Sequence, residues 1–160
     1  LSLKKGSLSK EMGGDVAVGF SSIFWNTAWT NGQAPHTLGI LCNPSHPALK
    51  DFPTEYYSNY QWWDAMSHSN AIHLSKLSKD IHPLVRVIDD WVTNRSLGLL
   101  FEVKVGNGKL LVSGIDFHQN MDKRPAARQL LYSLKQYMLS EDFQPSVSLQ
   151  PASIHQLTQR

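Results

Sequence analysis

The stretch LGLLFEVKVGNGKLLVSGIDF, residues 97–117, constrains the fold of this 160-residue chain more than any other. From residue 99 to residue 105, apolar residues alternate with a leucine, a glutamate and a lysine, which is the pattern of a β-strand with one more polar face. Gly-Asn-Gly at residues 106–108 provides the residues that tight hairpin turns need, and an apolar run at 109–115 follows. The sequence therefore predicts an antiparallel β-hairpin.

Three further apolar runs predict strands. DVAVGFSSIFWN (15–26) is rich in β-branched and aromatic residues, TLGILCN (37–43) is short and apolar, and a third run at 84–88 ends before two aspartates. RPAARQLLYSLKQYM (124–138) repeats apolar residues at helical spacing and predicts an amphipathic helix. Because strands alternate with helical segments, we predict an α/β layered domain with a mixed, mostly parallel sheet.

The chain divides into a leading segment (1–14), a single α/β domain (15–140) and a linker toward a following domain (141–160). The last segment has two prolines and many polar residues, which is typical of a linker. The length fits one domain, and the hydrophobic fraction of 41% is that of an ordinary globular protein.

Charge and composition exclude several classes of protein. A net charge of +2 is too small to favour nucleic acid or a membrane surface, and no run of about 18 apolar residues exists. The seven histidines form no pair at i, i+4 spacing, and the single cysteine has no Cys-x-x-Cys partner. We therefore expect no metal and no cofactor.

FPTEYYSNYQWWDAM, residues 52–66, combines three tyrosines, two tryptophans and two carboxylates. Ser58 and Gln61 have the spacing of a capping box, which predicts a helix with Ser58 as its N-cap. The tyrosine before this cap and Trp62 after it occupy the positions of a hydrophobic staple. The aromatic residues are thus partly explained by the start of a helix, and we expect Trp62 and Trp63 to be buried.

Cys42 lies where a predicted buried strand meets a helical segment, the position of the nucleophile elbow in α/β hydrolytic folds. Its neighbours Leu41, Asn43 and Pro44 are not the small residues that such a turn requires. A buried structural thiol is the favoured interpretation. A cysteine-dependent hydrolase stays open as an alternative.

A pair of carboxylates could serve glycoside hydrolysis if the two faced one sugar across roughly 5 to 10 Å, which spacing in sequence does not show. The candidates are Glu55, Asp64, Asp89, Asp90, Glu102 and Asp116. Capping and surface roles are favoured for each, so no catalytic residue is predicted.

Tryptophan is frequent for this length, with five residues. Exposed tryptophans stack on sugar rings, whereas buried ones fill cores and interfaces between domains. The candidate carbohydrate-binding residues are Trp25, Trp29, Trp62 and Trp63.

Three segments together resemble a known family: residues 24–64 (FWNTAWTNG to QWWD), residues 85–117 (VRVIDDW to GIDF) and residues 123–138. The patterns His-Pro-Ala-Leu, Phe-Pro-Thr-Glu and Gln-Trp-Trp-Asp occur in that order. The chain resembles a C-terminal region of large glycoside hydrolases of family two, the β-galactosidase-like enzymes of polysaccharide-degrading anaerobic bacteria.

The resemblance implies a flavodoxin-like or glutamine-amidotransferase-like domain that follows a catalytic barrel. In that family both catalytic glutamates lie in the barrel, which needs about 250 residues, and the acid/base glutamate follows an asparagine. No Asn-Glu dipeptide occurs in this chain, so no catalytic residue carries over. Cys42 also departs from the glycine-flanked cysteine of amidotransferases.

The function implied is that of a non-catalytic accessory domain of a periplasmic or secreted glycoside hydrolase acting on polysaccharides or oligosaccharides. Its expected partners are the catalytic barrel and neighbouring domains of the same parent chain, with carbohydrate as a possible ligand. The domain would support the barrel or an oligomer. The alternatives are a carbohydrate-binding module that uses exposed tryptophans and the cysteine-dependent hydrolase.

Overall fold

A computed structural model describes residues 1–20, 36–90 and 92–158. The described chain forms a six-stranded sheet. Its strands are β1 (Gly39–Cys42), β2 (Ile72–His73), β3 (Val85–Ile88), β4 (Leu97–Val105), β5 (Gly108–Ser113) and β6 (Ser148–Leu149). The α-helices are α1 (Trp63–Ser67), α2 (Pro125–Leu139) and α3 (Pro151–His155). Short 3-10 turns lie at Pro47–Leu49, Tyr60–Trp62, Leu74–Lys76 and Met121–Lys123, and a π-helical turn lies at Lys10–Gly14.

The sheet is mostly antiparallel, so the predicted mostly parallel, flavodoxin-like or amidotransferase-like α/β fold is wrong. Strand β4 pairs antiparallel with β2, β3 and β5, and β1 pairs antiparallel with β3. Of the six described strands, β6 alone runs parallel to its neighbour, over two residues of β4, and an isolated parallel bridge joins Ser2 to Ser113.

The connections explain this error. Parallel neighbours need a crossover of a dozen or more residues, usually a helix. Here β3, β4 and β5 follow one another through short loops at 89–96 and 106–107, which favour antiparallel pairing. The helical signals between β1 and β2 produce only 3-10 turns and the five-residue α1. The sequence pattern thus predicted several strands and the long helix, but it did not predict whether neighbouring strands run parallel or antiparallel.

Two hydrophobic clusters cover the two faces of the sheet, which is why β4 is almost continuously apolar. Leu100 belongs to the first cluster and Phe101 to the second, and successive side chains of a strand point to opposite faces. The first cluster contains Trp62 and the buried side of α2. The second contains apolar residues of the leading segment and of the C-terminal segment, namely Leu3, Leu8, Met12, Leu149 and Leu157.

The hairpin, the strand at 84–88 and the long helix are confirmed, with small shifts at their ends. The run at 37–43 forms β1 over four residues. In α2 the buried stripe ends on Tyr137, and Met138, the last residue of the predicted apolar repeat, is 38% exposed. Of the predicted strand at 15–26, residues 15–20 form no strand, and residues 21–26 lie outside the described residues.

The predicted capping box and staple at 52–66 are wrong. The N-cap is Asn59, whose Oδ1 accepts a hydrogen bond from the Gln61 N–H at 3.0 Å. Ser58 instead lies against β1, where its Oγ accepts from the Ile40 N–H at 3.4 Å. Gly39 makes this approach possible, because a Cβ there would lie 2.5 Å from the Ser58 Oγ. A contact distant in sequence therefore decides which residue caps the helical turn.

Both terminal segments pack on the sheet in the described residues. Leu3 donates its N–H to the Ser113 carbonyl along the outer edge of β5, and Leu1 accepts from the Ser113 N–H. At the other end, β6 pairs with β4, and Leu157 is fully buried. The division at residues 14 and 140, and a domain following residue 160, stay predictions.

Candidate functional site

An exposed aromatic surface lies beside α1. The rings of Phe20 and Trp63 stack with their centroids 5.7 Å apart and 15° between their planes. Trp63 is 56% exposed, and Tyr60, one helical turn before it, is 92% exposed. With Ser58 and Asn59 these residues line a cleft of 290 Å³, and we call Phe20, Tyr60 and Trp63 the aromatic face.

The four predicted carbohydrate-binding tryptophans do not form one described surface. Trp62 is fully buried, whereas Trp63 next to it is exposed, so the expectation of burial is confirmed for Trp62 and wrong for Trp63. Trp25 and Trp29 lie outside the described residues. The sequence reasoning missed Tyr60 as a member of the surface, although its spacing of three residues from Trp63 is a signal for sharing a helical face.

A second concave region, the polar cleft, lies at the edge of the sheet and has a volume of 510 Å³. Apolar walls come from Leu41, Pro83, Leu84 and Val147. Its polar lining residues are Cys42, Asn43, His46, His82, Arg86, Glu102 and Ser146. The cleft thus offers hydrogen-bond donors and acceptors between apolar walls.

Glu102 is hydrogen-bonded to α2, whereas the sequence predicted a surface role for this residue. Its Oε2 accepts a hydrogen bond from the Tyr137 hydroxyl at 2.7 Å. Burial, followed by this bond and the charge of Glu102, raises the pKa of Tyr137, so the phenol stays protonated and donates. The pair connects the polar cleft to the buried side of α2.

His46 is neutral in the polar cleft. Its Nδ1 accepts from the Ala48 N–H at 3.1 Å, which requires that nitrogen to be unprotonated. Burial lowers the pKa of His46, and the charges of Glu102 and Asp142 offset only part of this effect. His46 therefore acts as the N-cap of the turn at Pro47–Leu49 and is available as a donor only through Nε2.

Cys42 lacks the electrostatic environment of a nucleophile. Burial raises its pKa from 9.0 to about 11, although a hydrogen bond with Thr54 acts in the opposite direction. Its Sγ also donates to the Glu55 carbonyl oxygen at 3.2 Å. Reactive cysteines have a lowered pKa, so this geometry fits the structural thiol.

We expect iodoacetamide to modify Cys42 slowly in the folded chain near neutral pH. A rise of two pKa units lowers the thiolate fraction about a hundredfold, and the thiolate is the reacting form. Mass spectrometry of timed samples measures the rate, with the urea-unfolded chain as the control. Modification of the folded chain as fast as that of the unfolded chain would contradict this interpretation.

Most of the candidate carboxylates have structural partners. The Asp64 carboxylate accepts a hydrogen bond from the Arg124 Nε at 2.8 Å. The buried Arg124 also donates a hydrogen bond to the Asp116 carbonyl oxygen. The carboxylate of Asp116 accepts backbone N–H groups of Lys5, His118 and Gln119. Burial alone would raise the pKa of Asp116, but these bonds hold it below its usual value.

Asp89 and Asp90 organise the loop between β3 and β4. Asp89 accepts from the Nε and Nη2 of Arg95 at 2.8 and 3.0 Å, and from the Arg95 N–H. Asp90 accepts from the N–H groups of Val92 and Thr93. Burial would raise the pKa of Asp89, but the bonds from Arg95 and from the Asp90 N–H outweigh it and lower the pKa. Both acids have loop-capping roles, and Glu55 is exposed.

Within residues 1–20, 36–90 and 92–158, no three His, Cys, Asp or Glu side chains are grouped so that they could hold a metal ion. Among the helices that the structure describes, none has the length and apolar character needed to cross a membrane.

The fold and its clefts define a mostly antiparallel β domain covered by helices and by both terminal segments. The sequence profile of one family matches residues 1–159, and its description is "Domain of unknown function (DUF8487)". The chain belongs to this family. The comparison with curated proteins gave no match. Neither result links the chain to glycoside hydrolases.

Proposed function

We propose that the chain is a non-catalytic accessory domain of a β-galactosidase-like glycoside hydrolase, and that the aromatic face is its contact with the catalytic barrel of the same parent chain. The exposed stack of Trp63 on Phe20 beside Tyr60 carries this proposal. The parent enzyme would be periplasmic or secreted, as the resemblance in sequence implies.

Aromatic side chains favour this use of the surface. Tryptophan and tyrosine are enriched in interfaces because they bury a large apolar area while retaining a polar group. In Trp63 and Tyr60 that area faces solvent in the chain alone. Covering it with another domain would gain the hydrophobic free energy that the isolated chain leaves unused.

The residues that carry the resemblance also build this part of the molecule. His-Pro-Ala-Leu forms the turn that packs under α2, where the Ala48 carbonyl accepts from the Ser133 hydroxyl at 2.8 Å. Phe-Pro-Thr-Glu places Phe52 against the buried Trp62. Gln-Trp-Trp-Asp then presents Trp63 on the surface. The pattern therefore specifies both the support and the exposed ring.

The structural roles of the charged groups support a non-catalytic domain. Asp64, Asp89 and Glu102 are bound by Arg124, Arg95 and Tyr137 respectively. A catalytic carboxyl group faces the substrate, and its own pKa is tuned to the reaction. These carboxylates instead fix loops and helices.

A second candidate function is carbohydrate binding at the aromatic face. The cleft of 290 Å³ between Tyr60 and Trp63 favours it, since a sugar ring stacks on an aromatic ring, and Ser58 and Asn59 add polar groups. Two of the four predicted carbohydrate-binding tryptophans, Trp62 and Trp63, lie in the described residues, and of these two Trp63 is exposed to solvent.

A titration of tryptophan fluorescence with galactosides and plant oligosaccharides separates the two functions. If the aromatic face serves a neighbouring domain, the signal stays flat at millimolar sugar. If it binds sugar, the fluorescence is quenched, and the quenching is lost in Trp63→Ala and weakened in Tyr60→Ala. Tyr132→Ala is the matched control, because Tyr132 is an exposed tyrosine on α2. Saturable quenching that needs Trp63 would replace the first proposal with the second.

A further inference from the structure

The hydrogen-bond ladder of β4 has a gap inside the polar cleft. Strand β5 occupies one edge of β4 over residues 100–105, so β3 and β6 share the other edge. On that edge β3 pairs with β4 as far as Leu100, and the pairing with β6 starts at Lys104. Between these two residues, no strand of the described chain pairs with this edge of β4.

The backbone of Glu102 points into the gap. The Lys104 N–H donates to the Val147 carbonyl at 2.7 Å, so Lys104 directs its backbone groups toward the edge that β6 occupies. The backbone groups of a strand alternate between its two edges with a period of two residues. The N–H and C=O of Glu102 therefore point to this edge as well.

A proline lies where β3 would continue along the gap. Val85 lies opposite Leu100, so a continued antiparallel register would place Pro83 opposite Glu102. Proline has no N–H and cannot donate to the Glu102 carbonyl. A second proline, Pro145, precedes the residues Ser146 and Val147 that line the other end of the cleft. A proline thus lies at each end of the gap.

We propose that the polar cleft docks an extended peptide segment of a partner chain, with a lysine or arginine opposite Glu102. An unpaired N–H and C=O on the edge of a strand match the C=O and N–H of another extended chain. The gap spans the four-residue step from Leu100 to Lys104, roughly 13 Å at about 3.3 Å per residue, which accommodates about three residues. This site is distinct from the aromatic face and does not depend on its function.

The carboxylate of Glu102 selects the side chain of the segment at its own position, although Arg86 also lines the cleft. The residue paired directly with Glu102 places its side chain on the same face of the sheet as the Glu102 carboxylate. Tyr137 donates to one oxygen of that carboxylate, which has capacity to accept further bonds. A cationic side chain at this position would form a charge-assisted hydrogen bond, and an acidic one would be repelled.

Hydrogen exchange of the Glu102 amide, followed by NMR, tests the proposal. Acetyl-Ala-Lys-Ala-amide at millimolar concentration should slow this exchange at least about fivefold, because a bonded amide exchanges only on opening. The same peptide with a methyl group on the lysine backbone nitrogen should have no such effect, since it cannot donate to the Glu102 carbonyl. Acetyl-Ala-Glu-Ala-amide should act more weakly than the lysine peptide.

The charge preference has its own control. In the Glu102→Gln chain, the preference for the lysine peptide over the glutamate peptide should be lost, because Arg86 still lines the cleft, while the backbone bonds remain. Unchanged exchange of the Glu102 amide with the lysine peptide would overturn the proposal. Equal protection by the N-methylated peptide would also overturn it, because the effect would then not come from strand pairing.

Discussion

Replacing Trp62 with alanine should lower the free energy of unfolding by about 3–5 kcal/mol, the usual cost of deleting a buried aromatic side chain. Trp62 is 0% exposed and lies edge-on to Phe52, with the ring centroids 5.2 Å apart. Its Nε1–H donates to the Thr54 hydroxyl at 2.7 Å. Alanine would leave a cavity in the first cluster and remove this hydrogen bond.

The neighbouring tryptophan provides a matched control. Trp63→Ala deletes the same side chain one residue away, but from the surface, so it should cost less than about 1 kcal/mol. Urea unfolding followed by far-UV circular dichroism measures both variants without using tryptophan as the probe. Equal losses in the two variants would contradict the assignment of one ring to the core and the other to the surface.

Asp89→Asn should have the second-largest effect, a loss of about 3 kcal/mol near neutral pH, the low end for breaking a buried ion pair, because Arg95 keeps its longer contacts with Asp15 and Asp90. The Asp89 side chain is almost fully buried and binds Arg95 through two nitrogens. Asparagine keeps the shape but removes the charge and one acceptor. Asp80→Asn, at an exposed carboxylate, is the matched control and should change stability little.

The effect of Asp89→Asn should depend on pH. Because the pKa of Asp89 is lowered in the folded chain, the unfolded chain binds more protons in acid, and stability decreases as the pH falls. The difference between wild type and Asp89→Asn should be complete above pH 3.8, the ordinary value, and shrink as the pH falls through the lowered pKa. A difference that stays constant from neutral pH into this acidic range would show that the charge of Asp89 is not responsible.

Elements with a strong local pattern could be predicted from sequence. The hairpin of β4 and β5 follows from strict alternation around Gly-Asn-Gly, and α2 from its repeat of apolar residues. The direction of neighbouring strands could not be predicted in this way. It depends on which segments become crossover helices, and the aromatic segment between β1 and β2 forms only short turns.

The candidate site could be predicted only in part, because contacts distant in sequence determine it. Ser58 and Asn59 can both cap a helical turn, and the approach of Ser58 to Gly39 leaves that role to Asn59. Likewise, in the helical turn after Asn59, the side chain of Trp62 lies in the core and that of the adjacent Trp63 lies on the surface. The gap at Glu102 requires the register of three strands, which no local pattern contains.

We propose that another domain of the parent chain covers the aromatic face. Hydroxyl-radical oxidation, read by mass spectrometry, measures the accessibility of Tyr60 and Trp63 in this chain alone and in the natural full-length protein. We expect both residues to be oxidised readily in the chain alone and to be several-fold protected in the full-length protein, while the exposed Tyr132 is oxidised equally in both. Equal oxidation of Tyr60 and Trp63 in the two proteins would contradict the claim.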